Sequence, residues 1–437
     1  MKRLIAIAVL CVAPAILPAE AQEVTKLTFH DALERAEKVN NTVERARADV
    51  SVAEANKEQL LSNVLPRITL NGAAQRNSET VAFNAGGNDV TVLPRNDWNY
   101  HLNFSQPVYA GRREIRAYNQ AKIAILNARE GVLGTEDAVL LRVASNYLGV
   151  VNADSRIAIE QKNIDVAQKR RSQASAFYEA GESTKVDVLR AETSIKAAQR
   201  QLAAAQQTRE EAVSRLRADL DLNGPIEVTD TSNPAPAVPD EQALISRAET
   251  SRPDVAVALN NVEIARLEVQ KQKGFWLPTV TFNGGYVSQK SAFPAPRYAF
   301  GAFNFTVPIL QSGEVEARVA AARAREIQAQ LDLDTAKTTA REDVRTALAA
   351  LHEAETALGL AKEQLAAAEA EYNQVFETYR AQEATSLDVA TSEASLADAR
   401  RAVNEETLNR DLAQLRVWYV AGAMKEAVNV TSGAVQK

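Results

Sequence analysis

The sequence has 437 residues, a length that allows two or three domains. Acidic residues outnumber basic ones and the net charge is −6, which argues against nucleic acid as a partner, because a phosphate backbone demands a basic face. The single cysteine, Cys11, excludes a fold held together by disulfides. Beyond the N-terminal segment no run of 18 uncharged apolar residues occurs, so any membrane role would have to come from strands.

The N-terminal segment has the order of a secretory signal peptide. Lys2 and Arg3 precede an apolar stretch over 4–17, and "AEA" at 19–21 fits an A-x-A cleavage site. We therefore predict export and removal of residues 1–21. The exported chain would carry a net charge of −7 and no cysteine.

The rest of the chain is two copies of one unit. "LPRITLNGAAQR" at 65–76 matches "LPTVTFNGGYVS" at 277–288, and "YEAGESTKVDVLRAE" at 178–192 returns 201 residues later as "YRAQEATSLDVATSE". Each copy has the order helix, strand, loop, strand, very long helix, turn, helix. We predict repeats over 22–222 and 241–422, a Pro-rich linker at 223–240, and a C-terminal tail at 423–437.

Helix lengths are the most specific quantity in this pattern. Residues 112–177 contain no proline and predict a helix of about 100 Å, and 314–378 repeats this length. Such lengths indicate coiled coil rather than a globular core. Shorter helices would flank them at about 42–64, 184–220, 254–276 and 385–421, joined at turns near 178–186 and 379–387.

Four segments alternate as strands do. Trp98, Tyr100, Leu102 and Phe104 share one face, whereas Asn99, His101, Asn103 and Ser105 share the other. The four predicted strands lie at about 67–76, 98–107, 279–288 and 298–308, the last with a looser pattern because Phe300 and Phe303 fall on opposite faces. The Asn- and Gly-rich stretch at 78–97 reads as a long loop.

Strands of about ten residues have the length needed to cross a bilayer. Four strands cannot close a barrel, and open edges in lipid would leave backbone groups unpaired, so several chains would have to share strands. Three chains would give twelve strands and a lumen wide enough for water, which suits the polar face. Prolines would end the regular elements at one rim: Pro66 and Pro278 where helix meets strand, Pro107 and Pro308 where strand returns to helix.

The doubled unit resembles the TolC-type outer-membrane efflux and secretion proteins (outer membrane factors) over essentially the whole exported chain. The matching residues are "LP" before the first strand of each copy, "QPVYAG" and "VPILQSG" before the long helices, and the "Y-x-A-G…DV" turn. The resemblance implies a mainly α-helical fold with β-strands: a homotrimer, a twelve-stranded barrel in the outer-membrane lipid of a Gram-negative bacterium, and a coiled-coil tunnel in the periplasm. It also implies a periplasmic adaptor protein and an inner-membrane pump or ABC transporter as partners, in drug efflux, type I protein secretion, or both.

The resemblance also implies a gate at the periplasmic turns. Tyr379 would reach the neighbouring chain near Asp187, and Asp388 would belong to a ring of carboxylates at the constriction. Thr391 occupies the position of a second acidic residue in the family. Ala384 occupies the position of a basic residue that links the gate in the family. Helix N-capping is an alternative role for Asp187 and Asp388, because both follow a turn directly.

No residue pattern supports catalysis. His30, His101 and His352 are far apart, "HEAE" at 352–355 lacks the second histidine of a zinc-protease helix, and there is no P-loop or G-x-S-x-G motif. We expect no enzyme activity, cofactor, metal site or nucleic-acid partner. The alternative function is a periplasmic coiled-coil adaptor or scaffold without a pore.

Overall fold

The structure is a computed structural model that describes residues 24–229, 235–291 and 295–428. The predicted signal peptide, with Cys11, lies outside the described residues. So do residues 230–234 of the predicted linker and residues 429–437 of the predicted tail.

Helices make up most of the chain. They are α1 (Phe29–Val39), α2 (Asn41–Ser62), α3 (Arg113–Glu179), α4 (Lys185–Leu220), α5 (Glu241–Ser251), α6 (Pro253–Lys273), α7 (Glu314–Arg380), α8 (Ser386–Val420) and α9 (Met424–Ala427). The strands are β1 (Thr25–Leu27), β2 (Arg67–Arg76), β3 (Val81–Ala85), β4 (Asn88–Leu93), β5 (Asn96–Ala110), β6 (Ile226–Val228), β7 (Thr279–Gln289) and β8 (Arg297–Thr306).

The two long helices dominate the shape of the chain. Helices α3 and α7 each contain 67 residues, which corresponds to about 100 Å. Each pairs with the helix that follows it, α3 with α4 and α7 with α8, and α3 also packs against α8. No helix in the described part of the chain is both long enough and apolar enough to cross a membrane.

Strands from both repeats form one antiparallel sheet in the order β2-β5-β7-β8. Phe104 pairs with Ile68 on one side and with Gly284 on the other, so the alternating apolar residues of β2, β5 and β7 share one face with Phe303 and Phe305 of β8. The opposite face is mainly polar, and Phe300 lies on it opposite Gly285. Strands β2 and β8 are the two edges and pair with no further strand in the described part of the chain.

The repeats meet where the sheet joins the helices. Gly111, with φ of 66°, precedes α3, and a Cβ atom there would lie 2.2 Å from the carbonyl oxygen of Gly274. Only a glycine pair allows this approach of the two backbones. Arg113 and Arg318 lie on the Phe275 ring nearby, at 4.3 and 4.7 Å from its centroid.

The main core lies between the sheet and the far end of the helices. It combines buried side chains from α1, α3, α4, α5, α7, α8 and α9, and Tyr147 of α3 is fully buried within it. The Tyr147 hydroxyl donates to the Leu27 carbonyl at 3.1 Å, and its ring contacts Phe29 edge-on. Strands β1 and β6 pair in parallel beside this core and tie the N-terminus to the chain between the repeats.

Several sequence predictions were wrong in detail. The predicted loop at 78–97 contains the hairpin β3–β4, because Val81, Phe83 and Val90 alternate with other residues around a turn at Gly86 and Gly87. The predicted linker contains β6, and the predicted tail begins with α9, which is part of the main core.

Pro107 also differs from its predicted place. It lies inside β5, which continues to Ala110, and not at the end of the strand. Strand β5 tolerates it because the register with β7 shifts between Pro107 and Tyr109, and a proline fits where a ladder hydrogen bond is absent. Pro66, Pro278 and Pro308 lie in the connections between helices and strands.

Candidate functional site

The turn between α3 and α4 and the turn between α7 and α8 lie together, at the end of the chain farthest from the sheet. In the first turn Glu182 N–H donates to the Phe177 carbonyl at 2.8 Å, and in the second Glu383 N–H donates to the Thr378 carbonyl at 2.8 Å. These bonds close the ends of α3 and α7 through a left-handed residue, Gly181 in one turn and Gln382 in the other. The two repeats therefore form turns with the same backbone conformation and the same closing hydrogen bond.

Asp187 and Asp388 cap the helices that follow. One carboxylate oxygen of Asp388 accepts hydrogen bonds from the Thr385 N–H at 2.9 Å and the Thr385 hydroxyl at 2.7 Å. The Asp187 carboxylate accepts from the Thr184 N–H, the Thr184 hydroxyl and the Ser183 hydroxyl. Both aspartates thus complete capping boxes at the starts of α4 and α8.

Hydrogen bonding sets the charge state of these carboxylates within one chain. The hydroxyl and the N–H of Thr385 hold the pKa of Asp388 below its usual value. Burial pushes the pKa of Asp187 upward, but hydrogen bonds from Ser183, Thr184 and Ser386 outweigh burial and lower it overall. Both groups are therefore anionic at neutral pH in the single chain.

Tyr379 lies between the two turns. The resemblance places it against a neighbouring chain, whereas the structure buries it in its own chain, where its ring packs edge-on against Phe177 at 5.4 Å. Burial, with the nearby Asp187 charge, raises the pKa of the Tyr379 hydroxyl. The contact of Tyr379 with a neighbouring chain stays a prediction.

A second contact between the turns carries no local sequence signal. The Gln382 side-chain amide donates to the Glu182 carboxylate, which lies 200 residues earlier in the chain. Gln382 has φ of 62°, at the position that the first repeat gives to Gly181. The one sequence feature that points to this contact is that Gln382, a non-glycine residue, aligns with the turn glycine Gly181. Together the turns enclose a crevice of about 290 Å³.

The remaining gate candidates have local roles. Thr391 is exposed, and its hydroxyl donates to the Leu387 carbonyl of its own helix at 3.0 Å. Ala384 packs against the apolar cluster that contains Tyr379 and Val389.

Buried charges join the two helical hairpins above the turns. Arg170 of α3 is 2% exposed, and its Nη1 lies 2.7 Å from the Glu393 carboxylate of α8. Further up, Glu160 is fully buried and accepts hydrogen bonds from Arg401 of α8 at 2.8 and 3.0 Å. Burial raises the pKa of Glu160, but the hydrogen bonds from Arg401 and Asn163 outweigh it and the net shift is downward.

A groove of about 210 Å³ runs between α4 and α8 beside these charges, with α3 as its floor. Its walls carry small side chains, including Ala197, Ala394 and Ala397, and polar ones, including Gln201 and Asp398. Small side chains allow close approach of another helix.

No described residues form a metal-binding group of three or more His, Cys, Asp or Glu side chains. His30, His101 and His352 lie on α1, β5 and α7 respectively.

The chain matches known proteins along most of its length. A sequence model of the family described as outer membrane efflux protein matches residues 32–220 and 244–423. The outer membrane efflux protein BepC of Brucella suis biovar 1 is 23% identical over 407 residues, which cover 90% of this chain and 84% of BepC. The outer membrane protein TolC of Vibrio cholerae serotype O1 is 22% identical over 386 residues, which cover 84% of each chain.

Solved structures agree with this match at the level of the fold. The crystal structure of CusC superposes with a TM-score of 0.79 at 18% identity, covering 90% of this chain and 92% of CusC. Because the family model matches both repeats, this chain belongs to the outer membrane efflux protein family, the TolC family of transport proteins, which are conduits and not enzymes.

Proposed function

We propose that three copies of this chain form an outer-membrane channel whose twelve strands close one β-barrel. The sheet carries this proposal: one face is apolar, the other is mainly polar, and both edges are open in the single chain. Open edges in hydrocarbon would cost on the order of tens of kcal/mol in unpaired backbone groups, and pairing β2 with β8 of the next copy removes that cost.

In this arrangement the long helices extend from the barrel into the periplasm as a tunnel. Their length of about 100 Å is sufficient to carry cargo across much of that compartment. The channel is the exit duct for drug efflux, type I protein secretion, or both, and an inner-membrane pump or ABC transporter supplies the energy. The names of BepC and TolC, an outer membrane efflux protein and an outer membrane protein, support the efflux role.

A periplasmic adaptor links the channel to that pump. The groove between α4 and α8 supports such an interaction, because its alanine walls admit a helix and its polar rim offers hydrogen bonds.

Two measurements test the channel. The purified protein is expected to run as a heat-sensitive trimer and to give single-channel conductance in planar bilayers. A soluble monomer without conductance would instead favour the pore-free adaptor or scaffold. Deleting the gene and scoring both drug sensitivity and lost secreted proteins separates efflux from type I secretion.

The gate at the turns is part of the same proposal, with Asp187, Tyr379, Asp388 and Thr391 at the constriction. Three Asp388 carboxylates around a three-fold axis would attract divalent cations, whereas a helix cap requires only a hydrogen-bond acceptor at this position. Asp388→Asn separates these roles, because the amide oxygen still accepts the Thr385 N–H hydrogen bond.

A gate carboxylate predicts that block of the conductance by divalent cations weakens markedly in Asp388→Asn, while the trimer stays intact. Exposed Asp49→Asn on α2 is the control and leaves the block unchanged. If block in Asp388→Asn equals that of the wild type, Asp388 acts only as a cap.

A further inference from the structure

Basic residues end the apolar rows of the sheet at the end farthest from the helices. On β2 the row that starts at Ile68 ends at Arg76, which pairs with Asn96. On β8 the row that contains Phe305 ends at Arg297, opposite Ser288. Lys290 follows β7 directly, and its backbone N–H donates to the Trp98 carbonyl at 3.0 Å, which continues the row of Phe282.

The charge on this face has one sign. On the apolar face of the four strands, no acidic residue accompanies these three cations; Asp97 pairs with Gln75 and lies on the polar face. Arg76, Lys290 and Arg297 are exposed, and none forms an ion pair with any residue that the structure describes. Three cations without counter-ions therefore project from an otherwise apolar surface.

The cations are confined to one end of that surface. At the helix-proximal end the same rows begin at Ile68, Val280 and Phe305, which are uncharged. If these cations served only the solubility of the protein, there would be no reason for them to lie at one end of the strands.

The spacing fits the apolar thickness of a membrane. From Ile68 to Arg76, from Phe282 to Lys290 and from Phe305 to Arg297, each row covers eight residue-to-residue steps, or about 27 Å of strand. A tilt of about 40° reduces this to about 21 Å, close to the apolar height of outer-membrane barrels. Trp98, whose carbonyl accepts the Lys290 N–H hydrogen bond, and Tyr100, whose ring contacts that of Trp98, lie in the same part of this face, and amphipathic rings favour the boundary between lipid and water.

We infer that Arg76, Lys290 and Arg297 form a binding surface for the phosphate groups of the outer-leaflet glycolipid, with the adjacent apolar face against its acyl chains. The inference rests on the proposed channel, which places this end of the sheet at the outer surface of the membrane. Cations near an anionic lipid surface are attracted individually, and three chains bring nine of them around the barrel. The surface anchors the barrel in the lipid and sets its depth.

The test measures binding of labelled lipid A to the purified trimer in detergent micelles. The triple variant Arg76→Gln/Lys290→Gln/Arg297→Gln is expected to bind lipid A that carries two phosphates at least about tenfold more weakly than the wild type. A matched control removes three exposed helix cations, Arg45, Arg323 and Arg325, by the same substitution and retains wild-type binding. Replacing Arg76 and Arg297 by lysine keeps most of the binding, because the charge remains.

Two further probes identify the ligand group. Lipid A without phosphates is expected to bind the wild type as weakly as the diphosphorylated form binds the triple variant, and millimolar inorganic phosphate is expected not to displace lipid A. Equal binding of both lipid A forms, or equal binding by wild type and triple variant, would overturn the inference. Conductance of the same preparations distinguishes the two proposals. A trimer that conducts but binds lipid A without dependence on phosphate contradicts only the lipid-binding surface. A preparation that does not conduct contradicts the channel as well.

Discussion

Gln382 occupies a backbone position that the first repeat gives to glycine, at Gly181. A left-handed conformation costs a non-glycine residue about 1 kcal/mol, so its side chain must provide a compensating contact. The hydrogen bond from the Gln382 side-chain amide to the Glu182 carboxylate is that contact, and it ties the second turn to the first.

The hydrogen bond between Gln382 and Glu182 predicts different outcomes for two substitutions. Gln382→Gly removes the contact and the strain together, whereas Glu182→Ala removes the contact and leaves the strain. Amide hydrogen exchange at both turns is expected to speed up by about fivefold in Glu182→Ala, because an exposed hydrogen bond is worth about 1 kcal/mol, and to change less in Gln382→Gly, because the lost strain offsets the lost contact. Exposed Glu179→Ala at the end of α3 is the control. Unchanged exchange in Glu182→Ala would show that the contact does not hold the turns together.

Asp137 is a second residue with an unusual environment. Burial raises the pKa of its carboxyl to about 6, with the Lys425 ammonium opposing this shift and Glu136 and Glu37 adding to it. It lines a cavity of about 290 Å³ beside Arg252, Asp343 and Arg416. No hydrogen bond to its carboxylate is present among the described residues.

The raised pKa determines a pH dependence. An unfolded aspartate has a pKa of about 3.9, so the folded state holds the proton more tightly, and stability falls as pH rises from about 4 to 6. Above about pH 6 the loss of stability caused by ionising the buried Asp137 carboxyl has reached its full size. Asp137→Asn is therefore expected to raise the free energy of unfolding by about 1–2 kcal/mol at neutral pH and to change it little near pH ~4. Chemical unfolding of the helical part at both pH values measures this; a variant that gains equally at both would contradict the titration.

Buried ion pairs hold elements together at the next scale. Glu160 of α3 accepts hydrogen bonds from Arg401 of α8 and from Arg156 and Asn163 of its own helix. Losing one partner of a buried charge typically costs about 3–5 kcal/mol, and the remaining Arg156 reduces the expected loss to about 2–3 kcal/mol.

Arg401→Met is accordingly expected to lower the free energy of unfolding of the helical part by that amount, followed by far-UV circular dichroism. The double variant Glu160→Gln/Arg401→Met restores most of it, because no uncompensated charge remains buried. Exposed Arg325→Met on α7 is the matched control. Equal stability of the single and double variants would show that the ion pair does not join the hairpins.

Sequence patterns predict elements better than the contacts between them. Proline-free stretches and strict alternation locate the long helices and the faces of the sheet, because both depend on neighbouring residues. Pro107 misleads because the register shift that tolerates it belongs to the pairing with β7, about 170 residues away. The Gln382–Glu182 and Phe177–Tyr379 contacts join residues some 200 positions apart and leave no local period.

At the scale of the whole molecule, the two faces of the sheet must meet different solvents if three chains close a barrel. Leu70 lies on the apolar face, opposite Leu102, and Asn71, the next residue, lies on the polar face opposite His101. Both side chains are exposed in the single chain, so exposure there does not distinguish them. The exported chain predicted from the sequence contains no cysteine, which makes single-cysteine labelling clean.

Leu70→Cys and Asn71→Cys therefore form a matched pair that differs by one position. In membranes, a charged water-soluble maleimide is expected to label Asn71→Cys, which faces the aqueous lumen, and to leave Leu70→Cys unlabelled, because lipid excludes charged reagents. After unfolding in detergent both cysteines react, which shows that the thiol at position 70 is intact. Equal labelling of both positions in membranes would mean that water reaches both faces of the sheet, and the closed twelve-stranded barrel would have to be abandoned.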